Sequence, residues 1–180
     1  LLRQVRLELE LWEQDKPLAR QPQWYTGRIS EALTYVLVSE KLSPDEKLRA
    51  VSARLIGVIE LCRLGIGNLR DGNPARIAEA LQALESTIGF YQHELLTQAE
   101  DWTGNEDRAG FLKAVEETSQ QMQALAGHLR DKVLPVASVP DKFGAEVYAR
   151  KLAIYSDDSV TPETLPAMAL EEVDRVRELM

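Results

Sequence analysis

The chain has 180 residues, of which 44% are hydrophobic and 28% are charged, and its formal net charge is -8. This is the composition of an ordinary folded domain, long enough to bury a core without disulfides or a structural metal. The excess of acids disfavours a nucleic-acid binder that neutralises phosphates. The single cysteine, Cys62, excludes an internal disulfide and any zinc site built from cysteines.

The first segment carries two apolar periodicities at once. Leucine alternates with glutamate over residues 7–11, as it would in a strand. Good helix formers dominate, however, and a second apolar set recurs at steps of three and four: Leu2, Val5, Leu9 and Trp12. We predict a helix that ends before Pro17 and is followed by a proline-bounded linker over residues 17–22.

Further along the chain, three cap-and-proline patterns predict helix starts: Ser43-Pro44 with Glu46, Asn73-Pro74 and Thr161-Pro162. Between the first two, Gly57 predicts a bend or a break. Thr103-Gly104-Asn105 predicts another break, and a long helix should follow it and end at Pro135. Its inward positions are predicted to be Phe111, Val115, Met122, Leu125, Leu129 and Val133.

The stretch from Pro135 to Pro140 predicts an extended connector, because proline fixes its own φ and disfavours the α region at the residue before it. A shorter helix is expected from about residue 144 to residue 155, before the last one. The sequence therefore predicts an all-α protein of seven or eight helices in an irregular antiparallel bundle that is part of a larger helical protein. Residues 1–135 would form the bundle, and residues 136–180 the connector and two helices leading into a missing remainder.

The catalytic and cofactor-binding motifs that this sequence partly matches are all incomplete. The run His93-Glu94-Leu95-Leu96-Thr97 begins like a zinc-peptidase helix, but Thr97 stands where the second histidine is needed. Neither this histidine nor His128 has the spacing of a helical metal site, and Arg70 replaces the third glycine of a dinucleotide loop. Cys62 on an apolar helix face predicts a buried, inert thiol. We predict no catalytic, cofactor-binding or metal-binding residue within the chain, and no membrane-spanning segment.

Two tyrosines are the only candidate site residues. Tyr148 and Tyr155 are seven residues apart and therefore share one face of the predicted helix. They could line a substrate cleft with their hydroxyl groups outward. They could equally be core aromatics whose hydroxyl groups reach the surface.

The C-terminal quarter of the sequence resembles a known family. The similarity runs through Phe143–Leu152, Ser159–Leu165 and Ala169–Met180, and this pattern is similar to the bacterial domain-of-unknown-function family 885. The positions that match the family pattern are Gly144, Tyr148, Leu170, Glu172, Val173 and Arg175.

The resemblance implies a function for a longer protein. Full-length members look like helical zinc metallopeptidases of the gluzincin type, with an H-E-x-x-H helix downstream of the segment seen here. In that chemistry two histidines and an acidic residue hold zinc, and the motif glutamate activates water. None of these residues lies in this chain, so zinc is implied for the full-length protein and no catalytic role transfers to a residue here.

The ends of the chain suggest a piece of something larger. It opens without an initiator methionine and stops at Met180 inside a helical pattern, so the remainder of its own polypeptide is an expected partner. The resemblance further implies a peptide substrate and a bacterial protein, without favouring cytoplasm or periplasm. The last helix should expose an apolar face to the remainder, and its acids could form a rim that meets a basic surface there. The alternative function is a free-standing helical protein-interaction module without enzymatic activity.

Overall fold

The computed structural model describes residues 2–102, 105–142, 144–156 and 159–180. Every regular element within these ranges is helical, which confirms the all-α prediction. Seven of the α-helices are nine residues or longer. In chain order the α-helices are α1 (Leu2–Asp15), α2 (Pro17–Arg20), α3 (Gln23–Glu31), α4 (Thr34–Leu37), α5 (Pro44–Asn68), α6 (Pro74–Gln92), α7 (Glu94–Ala99), α8 (Asn105–His128), α9 (Ala145–Tyr155) and α10 (Leu165–Leu179).

The chain divides into two compact units. Unit 1 comprises Leu1–Lys16 and Pro140–Met180, and unit 2 comprises Pro17–Val139. The boundary expected from the sequence lay at residue 135, with the first helix placed in the bundle. In the structure, α1 belongs with α9 and α10, because one of its faces packs against α9.

Unit 2 is built around three long helices, α5, α6 and α8. All the predicted inward positions of α8 and of the turn that follows it are buried. They meet the apolar stripes of α5 and α6, which include Leu55 and Leu84. Gly65 allows a close approach of α5 to its neighbours in this core, since a Cβ atom there would lie 3.0 Å from Leu125 Cδ1 and 3.4 Å from Tyr25 Cγ.

Local caps begin two of these helices as predicted. The Ser43 hydroxyl accepts a hydrogen bond from the Glu46 amide, and the Glu46 carboxylate accepts one from the Ser43 amide at 2.9 Å, which completes a capping box. Asn73 Oδ1 accepts from the Arg76 amide at 3.0 Å. The third predicted start was wrong by several residues. Thr161 Oγ1 does accept from the Thr164 amide at 3.3 Å, but it closes only a turn, and α10 begins at Leu165.

Other boundaries differ from the sequence prediction. Gly57 does not break α5, which runs through it, because a single exposed glycine weakens a helix without ending it. The predicted linker over residues 17–22 contains the short helix α2. After His128 the chain widens into a π-helical segment, Leu129–Val133, and then tightens into a 3-10 turn, Leu134–Val136, around Pro135. Residues 103 and 104 of the predicted break lie outside the described ranges.

In unit 1, α1 and α9 pack side by side. Gln4 Nε2 donates a hydrogen bond to the Ile154 carbonyl at 2.6 Å, and Lys151 forms an ion pair with Asp15. Leu11 and Ile154 are buried. By contrast, α10 has no buried residue.

Candidate functional site

Both candidate tyrosines lie on α9 and are solvent-exposed. Tyr155 is 84% exposed, and Tyr148 is also classed among the exposed large side chains. The core-aromatic alternative therefore does not describe them. Their exposure leaves them open to contact with another surface, and the cleft-lining role stays a prediction.

The two histidines are held in unrelated settings within unit 2. His93 is exposed and lies at the junction of α6 and α7. Its backbone dihedral angles, φ -123° and ψ -77°, are not helical, so α6 ends before it and α7 begins at Glu94. His128 is partly buried, and its Nε2 lies 3.0 Å from the Leu69 carbonyl oxygen. Across the described residues, no group of three or more His, Cys, Asp and Glu side chains could hold a metal ion. These residues therefore do not fit the zinc ion that the resemblance implies.

Cys62 is fully buried, and desolvation raises the pKa of its thiol to about 12. The burial of this thiol confirms one part of the sequence prediction. Because only the thiolate is a good nucleophile, we expect the thiol to be unreactive at neutral pH. The phenol of Tyr91 lies near it, and burial together with the electrostatic influence of Cys62 raises the pKa of Tyr91 as well. The Tyr91 hydroxyl has no hydrogen-bond partner among the described residues. The two groups therefore behave as parts of the core.

One polar cluster ties the loop after α5 to the connector that follows α8. The Asp71 carboxylate accepts hydrogen bonds from the Ser138 amide at 2.8 Å, from the Ser138 hydroxyl at 2.9 Å and from the Gly72 amide at 2.7 Å. Partial burial raises the pKa of Asp71, but these hydrogen bonds and the charge of Arg20 outweigh it and leave the pKa lowered. The carboxylate is thus occupied within the fold, so the cluster is structural.

Two grooves on unit 2 are open to solvent and are lined by few charged side chains. A groove of about 860 Å³ lies between the first halves of α5 and α8, and its charged lining residues are Asp45 and Arg49. A smaller groove of about 300 Å³ between α6 and α8 presents Glu85 and Arg130 at its rim. The described lining of neither groove brings together a nucleophile, a base and an oxyanion donor.

The most unusual surface belongs to unit 1. The side of α1 that faces away from α9 carries four exposed apolar residues, Leu2, Val5, Leu9 and Trp12, which we call the α1 outer stripe. Within it, the Leu9 side chain is 58% exposed and the Trp12 side chain is 49% exposed. On α10, large apolar side chains are exposed along the whole helix. Contiguous apolar patches of this kind are rare on monomers and usually mark interaction sites.

A family profile described as "Bacterial protein of unknown function (DUF885)" matches residues 1–180. The chain belongs to this family. The match extends the resemblance seen near the C-terminus over all residues. No curated protein and no solved structure matches the chain. Membership in DUF885 therefore establishes the family without assigning a role to any residue.

No described helix of this DUF885 chain is both long and apolar enough to cross a membrane. We treat the exposed faces of α1 and α10 as candidate protein-contact surfaces. Exposure of the last helix was expected from the sequence, whereas the α1 outer stripe was missed. Its signal was the double periodicity of the first segment, which places leucines on two opposite sides of one helix.

Proposed function

We propose that this chain is a non-catalytic helical portion, a scaffold or cleft wall, of a larger zinc-dependent peptidase-like hydrolase. The proposal is supported by membership in DUF885 together with the resemblance of that family to helical zinc metallopeptidases. In this proposal zinc would polarise the substrate carbonyl and activate water, and its ligands would come from outside the chain. The residues of this chain would hold the remaining helices in place.

The observation that carries the proposal is the α1 outer stripe. A helix that is apolar on two opposite sides is normally buried on both, and only one side of α1 is covered here. Fully burying a leucine-sized side chain contributes about 1.5–3 kcal/mol, so a further helical layer over Leu9 and Trp12 would gain several kcal/mol. Such a layer is what a larger enzyme would supply.

The direct test is the complete reading frame of the gene. We expect an H-E-x-x-H sequence downstream of Met180 in the same frame. A frame that ends without this motif would contradict the hydrolase proposal and would leave the interaction module, which the same exposed faces also favour, as the better account.

A second test compares one substitution in two settings. In the 180-residue chain, Leu9→Ala should change the free energy of unfolding by no more than about 0.5 kcal/mol, because the side chain is already largely exposed. In the polypeptide translated from the complete frame it should cost about 2–5 kcal/mol, as for a buried leucine. Glu10→Ala, an exposed position outside the stripe, is the matched control and should have a small effect in both. Equal effects of Leu9→Ala in both proteins would show that nothing covers the stripe.

A further inference from the structure

The last helix, α10, cannot be stable by itself. It has 15 residues and none of them is buried. Isolated helices of this length are marginal in water, and helices in proteins are stabilised mainly by packing of an amphipathic face. A surface packed against α10 would stabilise it, and the order of its side chains indicates which surface fits.

One side of α10 carries a seam of the coiled-coil type. Successive seam residues are separated by three, four, three and four positions, which returns each of them to the same side of a helix. Met168 is 44% exposed and Leu179 is 74% exposed. The seam consists of Leu165, Met168, Glu172, Arg175 and Leu179.

The centre of the seam is polar but carries no net charge. Arg175 donates two hydrogen bonds to the Glu172 carboxylate, from Nε at 2.7 Å and from Nη2 at 2.6 Å. Both side chains are more than half exposed. A charged pair in the middle of an apolar seam restricts which partner can cover it, since an apolar surface would leave the pair desolvated without compensation.

The spacing of the seam residues from Met168 to Leu179 is the same in both chain directions. From Met168 to Glu172 is four residues, from Glu172 to Arg175 is three, and from Arg175 to Leu179 is four again. An antiparallel second α10 would place its Leu179 opposite Met168 and its Arg175 opposite Glu172. A parallel second copy would instead oppose Glu172 to Glu172 and Arg175 to Arg175. The charges therefore favour the antiparallel pairing over the in-register parallel one.

We propose that α10 pairs with α10 of a second copy of this chain, antiparallel and around a two-fold axis, through reciprocal contacts between Glu172 and Arg175. Such an isologous interface uses the same surface on both copies. It goes beyond the proposed function and does not depend on zinc or on peptidase activity.

The two edges of the seam differ in how they affect this pairing. On one edge Ala169 and Val176 widen the apolar contact. On the other edge Glu171 of one copy approaches Glu178 of the second. Repulsion between such exposed charges is weak, and at physiological ionic strength it is screened over about 8 Å. The interface is small, below the roughly 1,200 Å² of stable complexes, so we expect a dimer with a dissociation constant in the micromolar range or weaker.

The test uses two charge variants of the 180-residue chain, alone and mixed, in sedimentation-equilibrium series up to high micromolar concentration. Glu172→Arg gives a seam with two basic residues, and Arg175→Glu gives one with two acids. For each variant alone the dimer affinity should fall about tenfold or more below that of the wild type, because like charges then face each other across the interface.

An equimolar mixture of the two variants should form a heterodimer. The arginine introduced at position 172 of one chain then faces the glutamate introduced at position 175 of the other. The unchanged Arg175 of the first chain faces the unchanged Glu172 of the second. Within either chain the like charges remain, so restoration on mixing reports contacts between chains.

The control is Leu170→Arg, which adds a charge to an exposed position on the opposite side of α10 and should leave the dimer unchanged. All three positions are exposed, so the variants should keep the circular dichroism spectrum of the wild type. A wild-type chain that stays monomeric, or variants that fail to associate when mixed, would overturn the proposal. A monomer whose α10 becomes protected from hydrogen exchange only within a longer polypeptide would also overturn it and would assign the seam to that polypeptide.

Discussion

Two glycines of α5 allow the packing of unit 2 to be tested with one substitution. Gly57 is exposed, and a Cβ atom built there meets nothing within 4 Å. Gly57→Ala should therefore stabilise the protein by about 0.5–1 kcal/mol, which is the cost of glycine relative to alanine inside a helix. The same substitution at Gly65 meets Leu125 Cδ1 at 3.0 Å and the Tyr25 ring from 3.4 Å.

Neither neighbour of Gly65 can move easily, because Leu125 and Tyr25 are themselves fully buried. Inserting a methyl group into such a core typically costs about 1–3 kcal/mol, which offsets or exceeds the gain in helix propensity of about 1 kcal/mol. We therefore expect Gly65→Ala to range from neutral to about 2 kcal/mol destabilising. Urea unfolding of the two variants, followed by far-UV circular dichroism, measures the difference directly. If Gly65→Ala stabilises the protein as much as Gly57→Ala does, the close approach of α5 to Leu125 is refuted.

Three further predictions concern polar groups in unit 2. The Asp71 carboxylate has a lowered pKa, so its contribution to stability should be complete above its ordinary pKa of 3.8 and should be lost as the pH falls through the lower folded value. Asp71→Asn should lower the free energy of unfolding by about 1–3 kcal/mol at neutral pH, and it should remove this loss of stability in acid. An unchanged midpoint of urea unfolding would contradict the hydrogen bonds between Asp71 and Ser138. Cys62 should react with a thiol reagent only after denaturant is added, and rapid labelling of the native protein would show that the thiol is not buried. Tyr91→Phe should leave stability unchanged or raise it by about 1 kcal/mol, because it removes a buried hydroxyl without a partner among the described residues, whereas a loss of more than about 1 kcal/mol would reveal a hydrogen bond to that hydroxyl.

The parts of the fold that could be predicted from sequence are those set by local chemistry. The Ser43 and Asn73 caps depend on hydrogen bonds to residues three positions away, so the sequence pattern contains all the partners. The inward face of α8 follows from its 3.6-residue period. The break predicted at Gly57 was wrong because glycine only lowers helix propensity, and packing of the buried residues Leu55 and Val58 on either side of it keeps α5 continuous.

Features that depend on tertiary neighbours had no readable signal. The break at His93 lies between the buried residues Tyr91 and Leu95, whose spacing of four is also that of one continuous helix, so periodicity alone cannot locate it. The contacts of Asp71 with Ser138 join residues 67 positions apart. Of the candidate site, exposed apolar side chains on the last helix were expected because its apolar pattern runs up to Met180. The spacing in the first segment could not show that α1 is covered by α9 on one side only, because that depends on which of two apolar faces the fold buries.

Zinc content tests the central claim most directly, namely that this chain supports a zinc hydrolase without supplying its ligands. The measurement is the zinc bound per chain by the polypeptide translated from the complete reading frame, compared with its double variant His93→Ala/His128→Gln. The glutamine keeps a hydrogen-bond donor near the Leu69 carbonyl, so the fold should be retained. We predict stoichiometric zinc in both proteins. Absence of zinc from the wild type would contradict the hydrolase assignment, and loss of zinc from the double variant alone would place a metal ligand within this chain.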